Sequence, residues 1–363
     1  MMKDNKLVVL TAGGTGGHVY PADALATELE KRGYKVILFT DKRGLNNYKG
    51  KLGEIENKSI WSGSVVGKSV ITKIMSLFKV SFGILQAIVL LIMFRPKCVV
   101  GFGGYASFPT AIAAVIMRIP LIIHEQNSVM SRTNRILARF ATVVAQSFRN
   151  VKNTPTNVKT FLSGMPIRKS IAALFEREYV EPDENGKICL VVLGGSQGAK
   201  IFAEVVPDAI KMLSEKEQKR LIIYQQCRRG EESELVAKYD SSLSEVEVKS
   251  FFDNMPDLYK KAHMIISRSG ASSVYEIAAV GLPSVLVPLP SAADNHQYYN
   301  AKDFAIDEAG LIVEQKDFSS QKVKDILQDF MANPQKMKKM SIATKKIAII
   351  DAAERLADVV EKI

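Results

Sequence analysis

Three short glycine stretches and three histidines carry the chemistry open to this chain. The stretches are residues 13–17 in LTAGGTGGHVYP, residues 101–104 with Ser107 in GFGGYASFP, and residues 194–198 with Ser196 in LGGSQGA. Each follows an apolar run and precedes a helical pattern, so backbone N–H groups gather at a helix N-terminus, where the partial positive charge suits an anion such as a phosphate. Of four histidines, His18 lies in GGTGGH, His124 in IIHEQN at a strand end, and His296 in DNHQYYNA, whereas His263 in KKAHMIIS reads as an ordinary strand-start residue. In open α/β sheets ligands bind outside the carboxyl ends of strands, so an imidazole there is placed for proton transfer.

Other nucleotide motifs fall short. Read from Gly14, G-x-G-x-x-G requires glycine where Val19 stands, and the dinucleotide fingerprint breaks where helix and strand must pack closest. Asp41, ending the second strand, would still suit a ribose and keeps NAD as a rival. GSVVGKS, residues 63–69, is one residue short of a P-loop and follows no strong strand. No D-x-D triplet occurs, so no metal is expected on a diphosphate. Cys98, Cys189 and Cys227 are scattered without C-x-x-C spacing, which indicates neither a disulfide framework nor a zinc site and favours the cytosol. The N-terminal apolar run is too short for a signal peptide, because glycines and a helix follow at once.

The elements that must position these residues alternate strand with helix. Strands are expected at LVVLTA, KVILFTD, CVVGFGG, PLIIHEQ, ATVVAQS and VKTFLSG, and after Pro166 the rhythm restarts with KICLVVLGG, RLIIYQQ, VEVKSFF, HMIISRSG, PSVLVPLP and GLIVEQ. That is the pattern of two parallel, doubly wound sheets, and 363 residues suit two domains. The hinge is SGMPIR, so the domains are expected at 1–164 and 165–341, with terminal helices from about 336 to 363. Charge divides at the same place. Residues 1–164 hold 22 Lys and Arg against 8 Asp and Glu, net +14, and the remainder 27 against 30, net −3. The basic half would attract an anionic lipid or a phosphorylated substrate; with no helix-turn-helix, RNP or zinc-finger pattern, no nucleic acid is expected.

GGTGGHVYP, GFGGYASFP, IIHEQN, GMPIR, LGGSQGA, SRSGASSVYEIAAVGLPSVLVPLP and DNHQYYNA together resemble, in order and spacing over residues 7–360, the MurG family of bacterial transferases. These enzymes add N-acetylglucosamine to a lipid-linked peptidoglycan precursor. The resemblance implies a GT-B α/β fold: two Rossmann-like parallel-sheet domains facing across a cleft, the N-terminal one taking the lipid acceptor, the C-terminal one UDP-N-acetylglucosamine, and a last helix, about 342–363, crossing back. Inverting transfer to the C4 hydroxyl of the acceptor's MurNAc is implied, in one step and without a cofactor. Another UDP-sugar enzyme of this fold, an epimerase or a lipid glycosyltransferase, is the alternative.

By position, the resemblance places His18 as the base, with Glu125 the rival for that role. Thr15, Gly16, Gly17, Asn127, Arg168, Ser196, Phe252, Ala271, Ser272, Ser273, Glu276, His296 and Gln297 match donor contacts. Gly14, Gly103, Gly104, Tyr105 and Ser107 match the acceptor side. A glutamate accepting from two vicinal hydroxyls would select a nucleotide, and a helix N-terminus would neutralise the leaving diphosphate. Met165, Ser131, Ala203, Gln225, Cys227 and His296 depart from the family pattern without removing a candidate base or phosphate contact. The implied partners are the lipid-linked muramoyl-pentapeptide, an anionic membrane surface, and cell-wall synthesis and division proteins.

The most apolar run, residues 80–94, spans 15 residues with Ser81, Gly83 and Gln86 inside, short of the roughly 20 a spanning helix needs. Its second half is expected as a buried crossover helix. Residues 71–82 interleave apolar side chains with lysines, as in a helix lying at the headgroup level. Peripheral docking on the cytoplasmic face of the bacterial inner membrane follows as the expectation.

Overall fold

An unbroken apolar run such as LVVLT is stable only when both faces of the strand are covered, and the chain meets that requirement with two parallel sheets. The computed structural model describes residues 6–13, 16–42, 50–63, 70–183, 185–195, 198–239 and 243–363. Two compact units result, Met1–Arg168 with Ile349–Ile363, and Lys169–Ala348.

Unit 1 carries β1 (Leu7–Thr11), β2 (Lys35–Thr40), β3 (Glu56–Ser59), β4 (Cys98–Gly101), β5 (Leu121–Glu125), β6 (Val143–Gln146) and β7 (Thr160–Leu162), in the order β3-β2-β1-β4-β5-β6-β7. The pairings are parallel; Val8, for example, sits opposite Val36 on one side and Cys98 on the other. Its helices include α1 (Gly16–Lys31), α2 (Val70–Phe94), α3 (Phe108–Ile116) and α4 (Arg132–Leu137). Because side chains alternate along a strand, Val8 and Leu10 join a core with Leu25 and Leu29 of α1, while Val9 joins Ala87 and Leu91 of α2 and Ala111 and Ala114 of α3.

Unit 2 repeats the plan with β8 (Ile188–Leu193), β9 (Leu221–Gln226), β10 (Glu245–Lys249), β11 (Met264–Ser267), β12 (Ser284–Leu286) and β13 (Leu311–Ile312), ordered β10-β9-β8-β11-β12-β13. Its helices include α5 (Lys200–Lys211), α6 (Met255–Lys261), α7 (Ala271–Val280), α8 (His296–Phe304), α9 (Ser320–Ala332) and α10 (Pro334–Ile347). Leu190 and Val192 pack with Phe202 of α5 and Phe330 of α9.

Chain exit and return differ slightly from the expected boundaries. Ser163 and Gly164 still donate their N–H groups to Gln146 O at 3.0 and 3.2 Å, which holds the chain on unit 1 as far as residue 164, and the unit runs on to Arg168. Residues 342–347 stay with unit 2 in α10, where Thr344 Oγ1 donates to Ala309 O at 2.6 Å. The return is α11 (Ala352–Lys362), whose Leu356, Ala357 and Val360 are completely buried in the α1 side of the unit 1 core. Arg32, directly after α1, clamps it, its guanidinium reaching Asp358 at 2.6 Å and Glu361 at 3.2 Å.

The expectation that the second half of α2 is buried is overturned. α2 is one continuous helix with only a stripe attached to unit 1: Ala87 and Leu91 are buried, Gln86 Nε2 donates to Ser59 O at 2.7 Å, and Trp61 N–H donates to Gln86 Oε1 at 3.1 Å. Gly83 sits so close to this segment that a Cβ there would stand 1.9 Å from Trp61 O. The other face is exposed along its length, with Phe78 at 72%, Leu85 at 61% and Val89 at 62%. A helix apolar all round can offer a sheet only one stripe, so the surplus remains outside. By length and composition alone, the 21 residues Ile74–Phe94 would suffice to cross a membrane.

Candidate active site

The strand order of unit 1 reverses between β1 and β4, so the loops leaving these two strands diverge and open a crevice at their carboxyl ends. His18, in the first turn of α1, fills it. Gly103 and Gly104 have φ of 80° and 78°, in the left-handed region that favours glycine. A Cβ on Gly104 would lie 3.4 Å from Gly13 Cα, 3.5 Å from His18 Cδ2 and 3.6 Å from its Nε2; one on Gly103 would lie 3.6 Å from His18 Cε1. The imidazole thus occupies space that side chains on these loops would take. Ser107 is buried and its Oγ donates to Gly104 O at 2.9 Å, fixing the turn. Tyr105 Oη donates to Asp41 Oδ2 at 3.2 Å, which engages the carboxylate considered for a ribose.

β5 ends in two buried titratable residues. Glu125 Oε1 accepts from Asn127 N–H at 3.0 Å, and Oε2 from Ser131 N–H at 3.0 Å and Asn134 Nδ2 at 2.8 Å. Burial raises its pKa and these donors oppose the shift. Ser131 also accepts from Asn134 N–H at 3.3 Å as the cap of α4. His124 Nε2 faces Gly164 O at 3.1 Å; a carbonyl only accepts, so Nε2 carries the proton and Nδ1 accepts from Gln126 Nε2 at 3.2 Å. Gln126 Nε2 also donates to Phe102 O at 2.8 Å, linking β5 to the start of the second glycine loop. Burial pushes the His124 pKa down to about 4, with a smaller contribution from His18. Met165 is buried beside this network, accepting from Ser147 Oγ at its sulfur. Arg168 ends the unit with its guanidinium 5.0 Å above the ring of Tyr20, two residues after His18.

Unit 2 has the matching reversal between β8 and β11. After β11, Gly270 leads into α7 with extended backbone and no side-chain cap, so the first N–H groups of α7, at Ala271, Ser272 and Ser273, face outward from the helix end. Ser272 Oγ is buried without a hydrogen-bond partner. One turn on, buried Glu276 accepts from Tyr259 Oη at 3.1 Å. Phe252 is buried, its ring edge-on to Tyr224 at 6.4 Å. His296 Nδ1 donates to Ala293 O at 2.8 Å, which leaves the Nε2 lone pair as its acceptor. Gln297 Oε1 accepts from Leu289 N–H at 3.0 Å, and its backbone carbonyl from Ser269 Oγ at 2.8 Å, tying α8 to the turn before α7. Ala203 and Cys227 are buried in a small apolar cluster, and Gln225 accepts from Tyr239 Oη.

Gly14, Thr15 and Ser196 lie outside the described residues. Gly16 and Gly17 open α1, where a Cβ on Gly17 would meet nothing within 4 Å. His263 keeps to its structural reading, its Nδ1 accepting from Cys189 N–H at 2.9 Å. Among the described residues no three His, Cys, Asp or Glu converge as metal ligands. Asn134, Gln126 and Tyr259 escaped the sequence reading, because single amides and a tyrosine in helices or after a strand carry no spacing signal.

Comparison with known proteins agrees with this architecture. Residues 8–146 match the glycosyltransferase family 28 N-terminal domain and residues 189–356 its C-terminal domain. The UDP-N-acetylglucosamine–N-acetylmuramyl-(pentapeptide) pyrophosphoryl-undecaprenol N-acetylglucosamine transferase of Rhodospirillum rubrum is 41% identical over 353 residues, covering 97% of this chain and 91% of its own. The crystal structure of Acinetobacter baumannii MurG superposes with a TM-score of 0.78 at 30% identity, covering 98% of this chain and 99% of that one. UDP-GlcNAc 2-epimerase from Neisseria meningitidis, bound to UDP-GlcNAc, shares the fold with a TM-score of 0.66 at 15% identity, covering 98% and 100%. Two Rossmann-like sheets, both family 28 domains and near full-length identity of this order make the chain a GT-B glycosyltransferase of family 28 and a member of the MurG family.

Proposed function

We propose that the chain transfers N-acetylglucosamine from UDP-N-acetylglucosamine to the C4 hydroxyl of MurNAc in undecaprenyl-pyrophosphoryl-MurNAc-pentapeptide, with inversion. The observation that carries the chemistry is His18, lodged among Gly13, Gly103 and Gly104 at the reversal of the unit 1 sheet. Its Nδ1 is buried, which favours Nε2 as the nitrogen that takes the hydroxyl proton. The acceptor oxygen attacks C1 of the sugar, the C1–O bond to the diphosphate breaks, and UDP leaves with the electron pair. Glu125 suits the base role less well, because both its oxygens already accept hydrogen bonds from the loop after β5.

Unit 2 suits the donor. The uncapped N-terminus of α7 and Ser272 Oγ offer donors to a diphosphate, and Glu276 offers a carboxylate to ribose hydroxyls. Arg168 adds a cation at the end of unit 1. This reading needs no metal, since helix N–H groups and Arg168 meet the leaving-group charge.

A lipid-linked acceptor calls for a membrane contact, and α2 supports one. Its exposed Leu77, Phe78, Phe82, Leu85 and Val89 form an apolar face with Lys79 and Arg95 exposed alongside, and Ile116, Ile136 and Phe140 are exposed with Arg118 and Arg139 on α3, α4 and the segments after them. Gln86, Ala87 and Leu91 hold the opposite stripe to unit 1, which supports a helix lying in the headgroup plane over one crossing the bilayer. The protein then works at the cytoplasmic face of the inner membrane, each near-surface Lys or Arg adding about 1 kcal/mol with anionic lipid.

The test is transfer of labelled sugar from UDP-N-acetylglucosamine to a polyprenyl-pyrophosphoryl muramoyl-pentapeptide analogue. Wild type forms the disaccharide, and His18→Ala lowers the rate by about 10² to 10⁴ while still binding UDP. Full activity in that variant would pass the base role to Glu125 or water; no transfer by wild type would sink the reaction assignment.

A further inference from the structure

Asn134, on α4, is the best-buried amide beside His18. It is 1% exposed, and its Nδ2 is committed to Glu125 Oε2 at 2.8 Å, with His124 O at 3.4 Å. The orientation of the amide follows from this. Glu125 receives two backbone N–H groups, so its carboxylate acts as acceptor and the Asn134 atom facing it must be the NH₂. Oδ1 therefore points the other way, and it is buried with no hydrogen-bond partner. A buried carbonyl left without a donor is costly, and native structures keep few of them.

His18 is a neighbour of this amide across Gly103. A Cβ on Gly103 would stand 3.5 Å from Asn134 Nδ2, 3.6 Å from Asn134 Oδ1 and 3.6 Å from His18 Cε1, so the end of the amide and the Cε1 edge of the imidazole flank one glycine. Cε1 neighbours Nδ1, and Nδ1 is buried.

We infer that Asn134 is a positioning residue for transfer: once the acceptor seats the ring, its Oδ1 accepts the Nδ1–H of His18, fixing the tautomer whose Nε2 lone pair faces the acceptor hydroxyl. The inference rests on His18 being the base. When Nε2 takes the hydroxyl proton the ring becomes an imidazolium, Asn134 stabilises it through the same hydrogen bond, and no proton passes to the amide. Glu125 holds Asn134 in the productive orientation and Gly103 leaves the space in which ring and amide meet. This gives Glu125 a place in catalysis that its two occupied oxygens allow.

The experiment is ¹⁵N-detected NMR of histidine-labelled protein with the soluble acceptor analogue bound, together with steady-state kinetics. Four histidines make the spectrum assignable with single His→Gln variants. In wild type, His18 shows a protonated Nδ1 and a pyridine-type Nε2. In Asn134→Ala the balance moves toward protonated Nε2, and kcat falls by about ten- to a hundredfold, part of what a positioned base contributes, with KM for UDP-N-acetylglucosamine unchanged. Protonated Nε2 in wild type overturns the inference, as does an unchanged tautomer balance and kcat in the variant. Should Asn134→Ala fail to fold, the wild-type spectrum decides alone. If His18→Ala retains full transfer while wild type shows the expected tautomer, the base assignment fails and the Asn134 contact stands.

Discussion

Taking the protein from about pH 7.5 to about pH 4 probes how His124 is held. In the folded chain this imidazole stays neutral down to about 4, against 6.5 for an unperturbed histidine, chiefly because it is buried. In the unfolded chain it takes up its proton near 6.5. Between those values the unfolded state binds more protons, so stability is full above the unfolded value, falls as pH drops through the window, and levels off below about 4. A gap of about 2.5 units at 1.36 kcal/mol each amounts to about 3 kcal/mol. Glu125 works in the opposite sense, since burial raises its pKa and the folded state takes that proton first. The comparison is therefore between wild type and His124→Gln, which share Glu125. Urea unfolding followed by Trp61, the single tryptophan, reports on unit 1 through its edge contact with Phe82 at 5.3 Å. The stability of wild type relative to the variant should shrink by about 3 kcal/mol across the window. A difference that does not change with pH would show that His124 titrates normally and that its burial does not hold it neutral.

Glu276→Ala and Arg168→Ala should each weaken UDP binding by about 1.5 to 3 kcal/mol, roughly ten- to a hundredfold or slightly more, by calorimetric titration; unchanged affinity in folded variants removes that residue from the donor site. Phe78→Ser with Leu85→Ser should abolish co-sedimentation with anionic vesicles at moderate salt and spare transfer to a soluble acceptor, whereas undiminished sedimentation would send the membrane contact elsewhere. Leu356→Ala removes a fully buried side chain and should cost unit 1 about 2 to 5 kcal/mol, read by Trp61; an unaltered urea midpoint would mean that α11 does not complete that core.

Much of the fold was readable because parallel sheets write themselves as apolar runs. CVVG, LIIHE and ICLVVL are buried along their whole length and could be placed without a structure. β3 could not. Its sequence, ENKS, lies at the sheet edge with two exposed residues, and an edge strand needs no apolar signal to pair with β2. α2 misled for the opposite reason, since apolar content predicts burial only where there is enough protein to cover it. At the candidate site, glycine and histidine stood out by rarity and setting, and His18 stood among its expected loop neighbours. The amide that flanks it, 116 residues later in the chain, had no local signature, because Asn134 is defined by what Glu125 and Ser131 do to it rather than by spacing.

The route of the chain through unit 1 also sets an order of events during synthesis. Unit 2 is an insertion: everything in Lys169–Ala348 is made after β7 and before α11. A ribosome therefore finishes the inserted unit while the first-made sheet still lacks Leu356, Ala357 and Val360, leaving the apolar side of α1 and β1 open to water. The half of the protein that is translated first is completed last. Until Ile349–Ile363 arrives, the uncovered core of unit 1 and the apolar face of α2 are exposed together, which is the interval in which a partly folded chain is most open to aggregation.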